Sequence, residues 1–110
     1  MFVTYQKSGN LRGCIGTFAF ENLGDTLQRY SIVAAVQDTR FNPMTTAELA
    51  SDLRIEISLL SDFELIDHPM DWEVGKHGIE IEFTSPETRH TGKVFRGTYL
   101  PNVMPEQGWD

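Results

Sequence analysis

Cysteine is almost missing from this chain: Cys14 is the only one in 110 residues. No intramolecular disulfide can form, which fits a reducing compartment better than a secreted small domain. Long apolar runs are missing as well. The uncharged stretch from Tyr30 to Gln37 is far short of the ~20 residues a membrane helix needs, and Met1 to Lys7 carries no apolar leader core. Basic residues are scarce, with nine Lys+Arg against sixteen Asp+Glu and a net charge of −7. Residues 1 to 55 hold five bases and five acids, so the whole excess lies in residues 56 to 110, with four bases and eleven acids. Such a balance argues against a sequence-independent grip on nucleic acid or on anionic lipid, both of which need a basic face. Internal repeats, low-complexity tracts and linkers are absent too. These absences lead to the expectation of a soluble intracellular protein, cytoplasmic or nuclear, with no membrane partner and with nucleic acid not the expected partner, a local basic site remaining open.

What is present is an ordinary globular composition, 40% hydrophobic and 23% charged, enough for one domain that buries roughly two-thirds of its unfolded surface. Phe2 to Lys7 and Leu11 to Phe18 read as strands joined at Ser8-Gly9-Asn10. Leu23, Leu27, Tyr30, Ala34 and Ala35 recur at three- and four-residue spacings, which predicts an amphipathic helix of about four turns from Leu23 to Asp38. Pro43 places a loop next, and Thr46 to Leu49 reads as a brief helical turn. Leu53, Ile55, Ile57 and Leu59 alternate with polar residues as in a half-buried strand. Trp72 to Phe83 alternates around a Gly-flanked turn and predicts a second hairpin, and Val94 to Leu100 predicts a last strand before Pro101. Together these make an α+β domain over residues 1–110: a mostly antiparallel sheet packed with one main amphipathic helix plus short helical turns. The chain opens directly into a strand and stops at Trp109-Asp110, which reads as the core of a longer protein.

The most distinctive string is Leu11-Arg12-Gly13-Cys14-Ile15-Gly16. On a regular strand Arg12, Cys14 and Gly16 share one face. A guanidinium beside a thiol favours the thiolate, and glycines admit a ligand close to the backbone. A small cysteine packed under the helix, with glycines that let helix and strand approach, explains the same string without chemistry. Asp38 and Arg40 lie just past the helix, where an acid needs a compensating partner; with Arg12 and Cys14 they form a candidate pocket for a carboxylate or phosphate. His68, His77 and His90 match no metal-binding spacing, so no metal and no cofactor is expected. His77 is a candidate base if its turn reaches Cys14.

The hexapeptide at 11–16 is the hallmark of the AMMECR-one proteins, which this chain resembles over nearly its whole length. Phe2-Val3-Thr4, Ala34-Ala35 with Asp38 and Arg40-Phe41, Trp72-Glu73-Val74-Gly75 with His77-Gly78-Ile79, Tyr99-Leu100-Pro101, and Glu106-Gln107-Gly108-Trp109 match the family's blocks in its order. Thr39 and Asn42 depart from its usual Asp-Pro-Arg-Phe and following proline. The resemblance implies an intracellular α+β protein with further helical segments on either side of this core and no established catalysis. It also implies pathway company, since similar domains in some microbes sit beside Memo-like and radical SAM proteins, in redox or modification chemistry. Two functions follow as expectations. One is a ligand- or partner-binding module, its site formed by Arg12, Gly13, Cys14, Gly16, Asp38 and Arg40, with the acidic second half around Glu80 and Glu82 as a partner surface. The other is an enzyme that uses Cys14 as nucleophile or redox thiol, aided by Arg12 and His77.

Overall fold

The computed structural model describes residues 1–19, 21–87 and 92–109; His90 lies outside them. The chain forms two compact units, Met1–Phe63 and Glu64–Asp110.

In the first unit, β1 (Phe2–Lys7) lies between β2 (Asn10–Gly16) and β3 (Leu53–Ser58), antiparallel to both. Ser8 at φ 50° and Gly9 at φ 79° turn the chain between β1 and β2, the positive-φ pair that a two-residue hairpin loop requires. α1 (Leu23–Val36) begins at Asn22, whose side chain accepts the Asp25 N–H, and Asp25 adds a negative charge in the first turn. The helix packs on β1 and β2. Val3, Tyr5 and Ala34 form the buried centre, ringed by Ile15, Leu27, Tyr30, Ala35, Met44 and Leu53. Tyr5 carries its hydroxyl through this layer to donate to the Ser31 carbonyl at 2.9 Å, so the ring is buried without orphaning its polar end.

Two sequence expectations change here. β3 ends at Ser58, and it is less buried than its alternation implies: Leu53 reaches the core, but Ile55 is 60% exposed and Ile57 47%. The cause is the placement of α1 over the other two strands. The second hairpin is also displaced. Lys76 and His77 both donate to the Glu73 carbonyl, which makes Glu73 to His77 a local turn. Only Ile79–Thr84 (β4) is strand, and it pairs antiparallel with β5 (Val94–Tyr99) in a two-stranded sheet. In the first unit α2 (Thr46–Leu49) is the short helix expected there. The second unit adds α3 (Val103–Gln107), ended by Gly108 at φ 69°, the left-handed residue common at helix C-termini. The architecture is α+β, with five strands in antiparallel sheets and three helices among the described residues. Among those residues no helix is long and apolar enough to cross a membrane.

Candidate functional site

The hexapeptide strand is irregular at the residue that matters most. Tyr5 pairs with Gly13 and Gln6 with Leu11, so Arg12 is the extra residue of a β-bulge. The bulge separates Arg12 from Cys14. Lys7 and Arg12 both reach the Glu48 carboxylate, Lys7 Nζ at 3.1 Å and Arg12 Nε at 2.8 Å, and Lys7 alternates onto the helix-covered side of the sheet with Val3 and Tyr5. Cys14 instead pairs with Thr4 across the ladder, and the Thr4 hydroxyl donates to Cys14 Sγ at 3.1 Å.

Gly13 sets the distance between sheet and helix. A Cβ at that position would fall far inside contact with the Ala34 carbonyl oxygen, and at Gly16 one would collide with the Met1 carbonyl and the Phe2 ring. Both glycines are therefore occupied by the fold on the side where a Cβ would stand.

Asp38 and Arg40 seal the outer edge of β2. Ser8 donates to the Asp52 carbonyl, which makes the even-numbered residues of β1 the ones that exchange backbone bonds with β3 and turns the Cys14 backbone away from β1. Asp38 Oδ2 accepts the Cys14 N–H at 3.0 Å, and Arg40 Nη2 donates to the Cys14 carbonyl at 2.9 Å. Arg40 also grips both carboxylate oxygens of Asp38, at 2.9 and 2.7 Å. The side chain of Asp38 is 3% exposed. Arg40, together with N–H donation from Cys14 and Arg40, holds the Asp38 carboxyl down to about 2 against the ordinary 3.8, and burial opposes the shift.

Glu48 is the second hub. Arg12 adds a bond from Nη2 to Oε2 at 3.1 Å, making the pair bidentate, and donates from Nη2 to the Asn42 carbonyl at 2.8 Å. Glu48 also accepts the Thr45 N–H at 2.8 Å as part of a capping box. Arg12 first, then the Thr45 backbone and Lys7, hold its carboxyl far below the usual carboxylate range. Around this hub opens a concavity of about 740 Å³ lined by Lys7, Arg12, Arg40, Phe41, Pro43 and Glu48, with Thr39, Asn42 and Thr45 completing the wall. The Phe41 ring lies 6.0 Å from the Arg12 guanidinium carbon and 5.6 Å from that of Arg40. Arg12 Nη1 is buried with no hydrogen-bond partner among the described residues.

The structure thus brings Arg12 and Arg40 to one concavity and places Asp38 and the Cys14 backbone directly behind Arg40. His77 belongs to the second unit, where its Nδ1 accepts the Glu73 N–H at 3.0 Å. Lys7, Glu48 and Thr4 are site residues that pattern reading missed. The Thr45-x-x-Glu48 spacing announces the helix cap, but nothing local announces that the same carboxylate receives Arg12 from 36 positions away. Among the described residues no three His, Cys, Asp or Glu side chains converge as metal ligands would.

An α+β protein with a bulged Leu-Arg-Gly-Cys-Ile-Gly strand, locked at its edge by an Asp-Arg pair, is the class that sequence and fold define. The family model AMMECR1 matches residues 1–110, and the chain belongs to that family. It is 43% identical to an uncharacterised protein of Kluyveromyces lactis over all of this chain and 52% of that protein. Similar uncharacterised proteins come from Arabidopsis thaliana, at 44% identity over 99% of this chain and 51% of the relative, and from Schizosaccharomyces pombe, at 50% over 91% and 49%. The chain spans about half the length of these curated relatives.

Proposed function

We propose that the protein is a ligand-binding module whose concavity beside the hexapeptide takes a small anion, a carboxylate or a phosphate. The observation that carries this reading is the meeting of Lys7, Arg12 and Arg40 around one open space. Arginine forks suit planar and tetrahedral oxyanions, and Lys7, Arg12 and Arg40 all line this space. Glu48 keeps the cations in place and leaves the lining net positive by two, from three cations and one anion. Asp38 holds Arg40 and the Cys14 backbone in register, a positioning role, while Gly13 and Gly16 allow the close packing that fixes the strand.

The test is titration with inorganic phosphate and with malonate, followed by amide chemical shifts. Saturable changes at Arg12 and at Arg40 to Asn42 are expected, with binding weakened about tenfold in Arg12→Lys, the scale of one charge-assisted bond. Lysine keeps the charge and loses the fork, so the loss reports recognition and not net charge. Shifts that merely follow ionic strength, matched by sodium chloride, would defeat the proposal.

A second reading makes Cys14 a nucleophile or redox thiol. It is supported by the half-buried free Cys14 and the Thr4 donor at 3.1 Å from its sulfur. Alkylation of the native protein by iodoacetamide at a rate near that of a free thiol, and loss of any ligand-dependent turnover in Cys14→Ser, are its expected results; a thiol that reacts only after unfolding sinks it. In either reading we place the module beside redox or modification chemistry, on the strength of the Memo-like and radical SAM company of similar domains. Recovery of such proteins with the tagged chain from a microbial host checks that placement, and their consistent absence removes it.

A further inference from the structure

The two edges of the three-stranded sheet are treated differently. Asp38 and Arg40 occupy the outward backbone groups of β2 at Cys14. β3 has no comparable seal among the described residues. Its even-numbered residues exchange bonds with β1, so the N–H and C=O of Ile55 and Ile57 point outward, and among the described residues none of these four groups has a partner. Natural edge strands are blunted by proline, charged side chains or bulges. Leu53-Arg54-Ile55-Glu56-Ile57 contains no proline, its ladder with β1 runs without a register shift, and its two charges, Arg54 and Glu56, are of opposite sign.

That five-residue segment of β3 is self-complementary. Laid antiparallel on a second copy about an axis at Ile55, it sets Ile55 against Ile55, Leu53 against Ile57, and Arg54 against Glu56 of the other copy. The backbone phase agrees. Ile55 would exchange N–H and C=O with its twin, and each Ile57 N–H would reach the Leu53 carbonyl opposite, four hydrogen bonds in all. The Leu53 N–H is already spent on Ser51, so the ladder stops there. Arg54 and Glu56 are exposed and make no ion pair within the chain among the described residues. Directly opposed unlike charges stabilise antiparallel pairs and like charges oppose them, so the two cross-copy pairs select this register. Exposed Ile55 and Ile57 would meet their counterparts on the other face.

We infer that the chain self-associates through β3, two copies forming one continuous six-stranded sheet with an isologous two-fold interface. The occupant is a second copy because the charge order and the outward backbone groups both match under that one operation.

Sedimentation velocity over micromolar to millimolar concentrations tests this, with circular dichroism melts to show that each variant folds. A monomer–dimer equilibrium is expected. Arg54→Glu and Glu56→Arg should each weaken it at least tenfold, since each places like charges opposite one another, and the double exchange R54E/E56R should restore it, because the swapped strand is again self-complementary. The restoration separates paired charges from a general effect of net charge. A chain that stays monomeric throughout, with the Ile55 and Ile57 amides slow to exchange, would show that another segment or partner covers β3 and would overturn the inference. So would a dimer that both single variants leave intact.

Discussion

Gly13→Ala is expected to destabilise the first unit by about 3 kcal/mol, the upper end for forcing atoms into a packed interior, and to lower the melting temperature by about 15 °C. The added methyl would stand on the Ala34 carbonyl oxygen, with the Ala34 carbonyl carbon at 3.2 Å. The obstacle is backbone on a helix, so no rotamer change relieves it. α1 must lift from the sheet, and Ala34 of the helix forms the buried centre with Val3 and Tyr5 of β1. Gly24→Ala is the matched control. It lies in the first turn of α1, where a methyl meets only Asn22 Oδ1 at 3.4 Å, and it should stabilise the helix by about 0.5 to 1 kcal/mol through propensity alone. Denaturant midpoints for both variants decide the matter. Equal midpoints would mean that the helix moves freely over β2 and that Gly13 sets nothing.

The contrast between those glycines shows what a sequence can and cannot disclose. Repetition discloses elements: the three- and four-residue spacing of Leu23, Leu27, Tyr30 and Ala34 locates α1, and the alternation of Leu53, Ile55 and Ile57 locates β3. Repetition is silent on what packs where. Ile55 and Ile57 alternate as though half-covered, yet α1 lies over the other two strands. Trp72 to Phe83 alternates as though self-paired, yet the Glu73 carbonyl is drawn into a turn and β4 finds its partner in β5.

The candidate site fails to show in the sequence for a related reason. Period-two reasoning puts Arg12 on the face of Cys14, and one extra residue in the ladder undoes it. A bulge leaves no compositional trace; it is fixed by the positive-φ turn at Ser8-Gly9 and by what Arg12 gains at Glu48. Long-range ion pairs are equally mute locally, so Glu48 and Lys7 stay hidden while Asp38 and Arg40, adjacent to the helix end and to each other, stand out. The short-range expectation that Asp38 needs a compensating cation is met two residues away.

Asp38 carries the second large effect. Its carboxyl is held at about 2 in the folded chain against 3.8 ordinarily, so the unfolded chain takes up the proton first as pH falls. The stability this group supplies is whole above about pH 4 and is lost as pH drops through about 2, amounting to about 2 kcal/mol. Asp38→Asn should therefore cost about 2 kcal/mol at neutral pH, less than breaking a fully buried pair because the stranded Arg40 is more than half exposed and can turn to water. The difference between the two proteins should narrow as the solution is acidified, because a protonated carboxyl and a neutral amide both leave Arg40 without an opposing charge. Urea midpoints at a series of pH values measure this narrowing, and a constant separation would mean that Asp38 acts through shape and not charge. Hydrogen exchange supplies the local counterpart: the Cys14 amide, whose acceptor is Asp38 Oδ2, should exchange faster in Asp38→Asn, while the Tyr5 amide, inside the ladder between β1 and β2, should follow only the global loss.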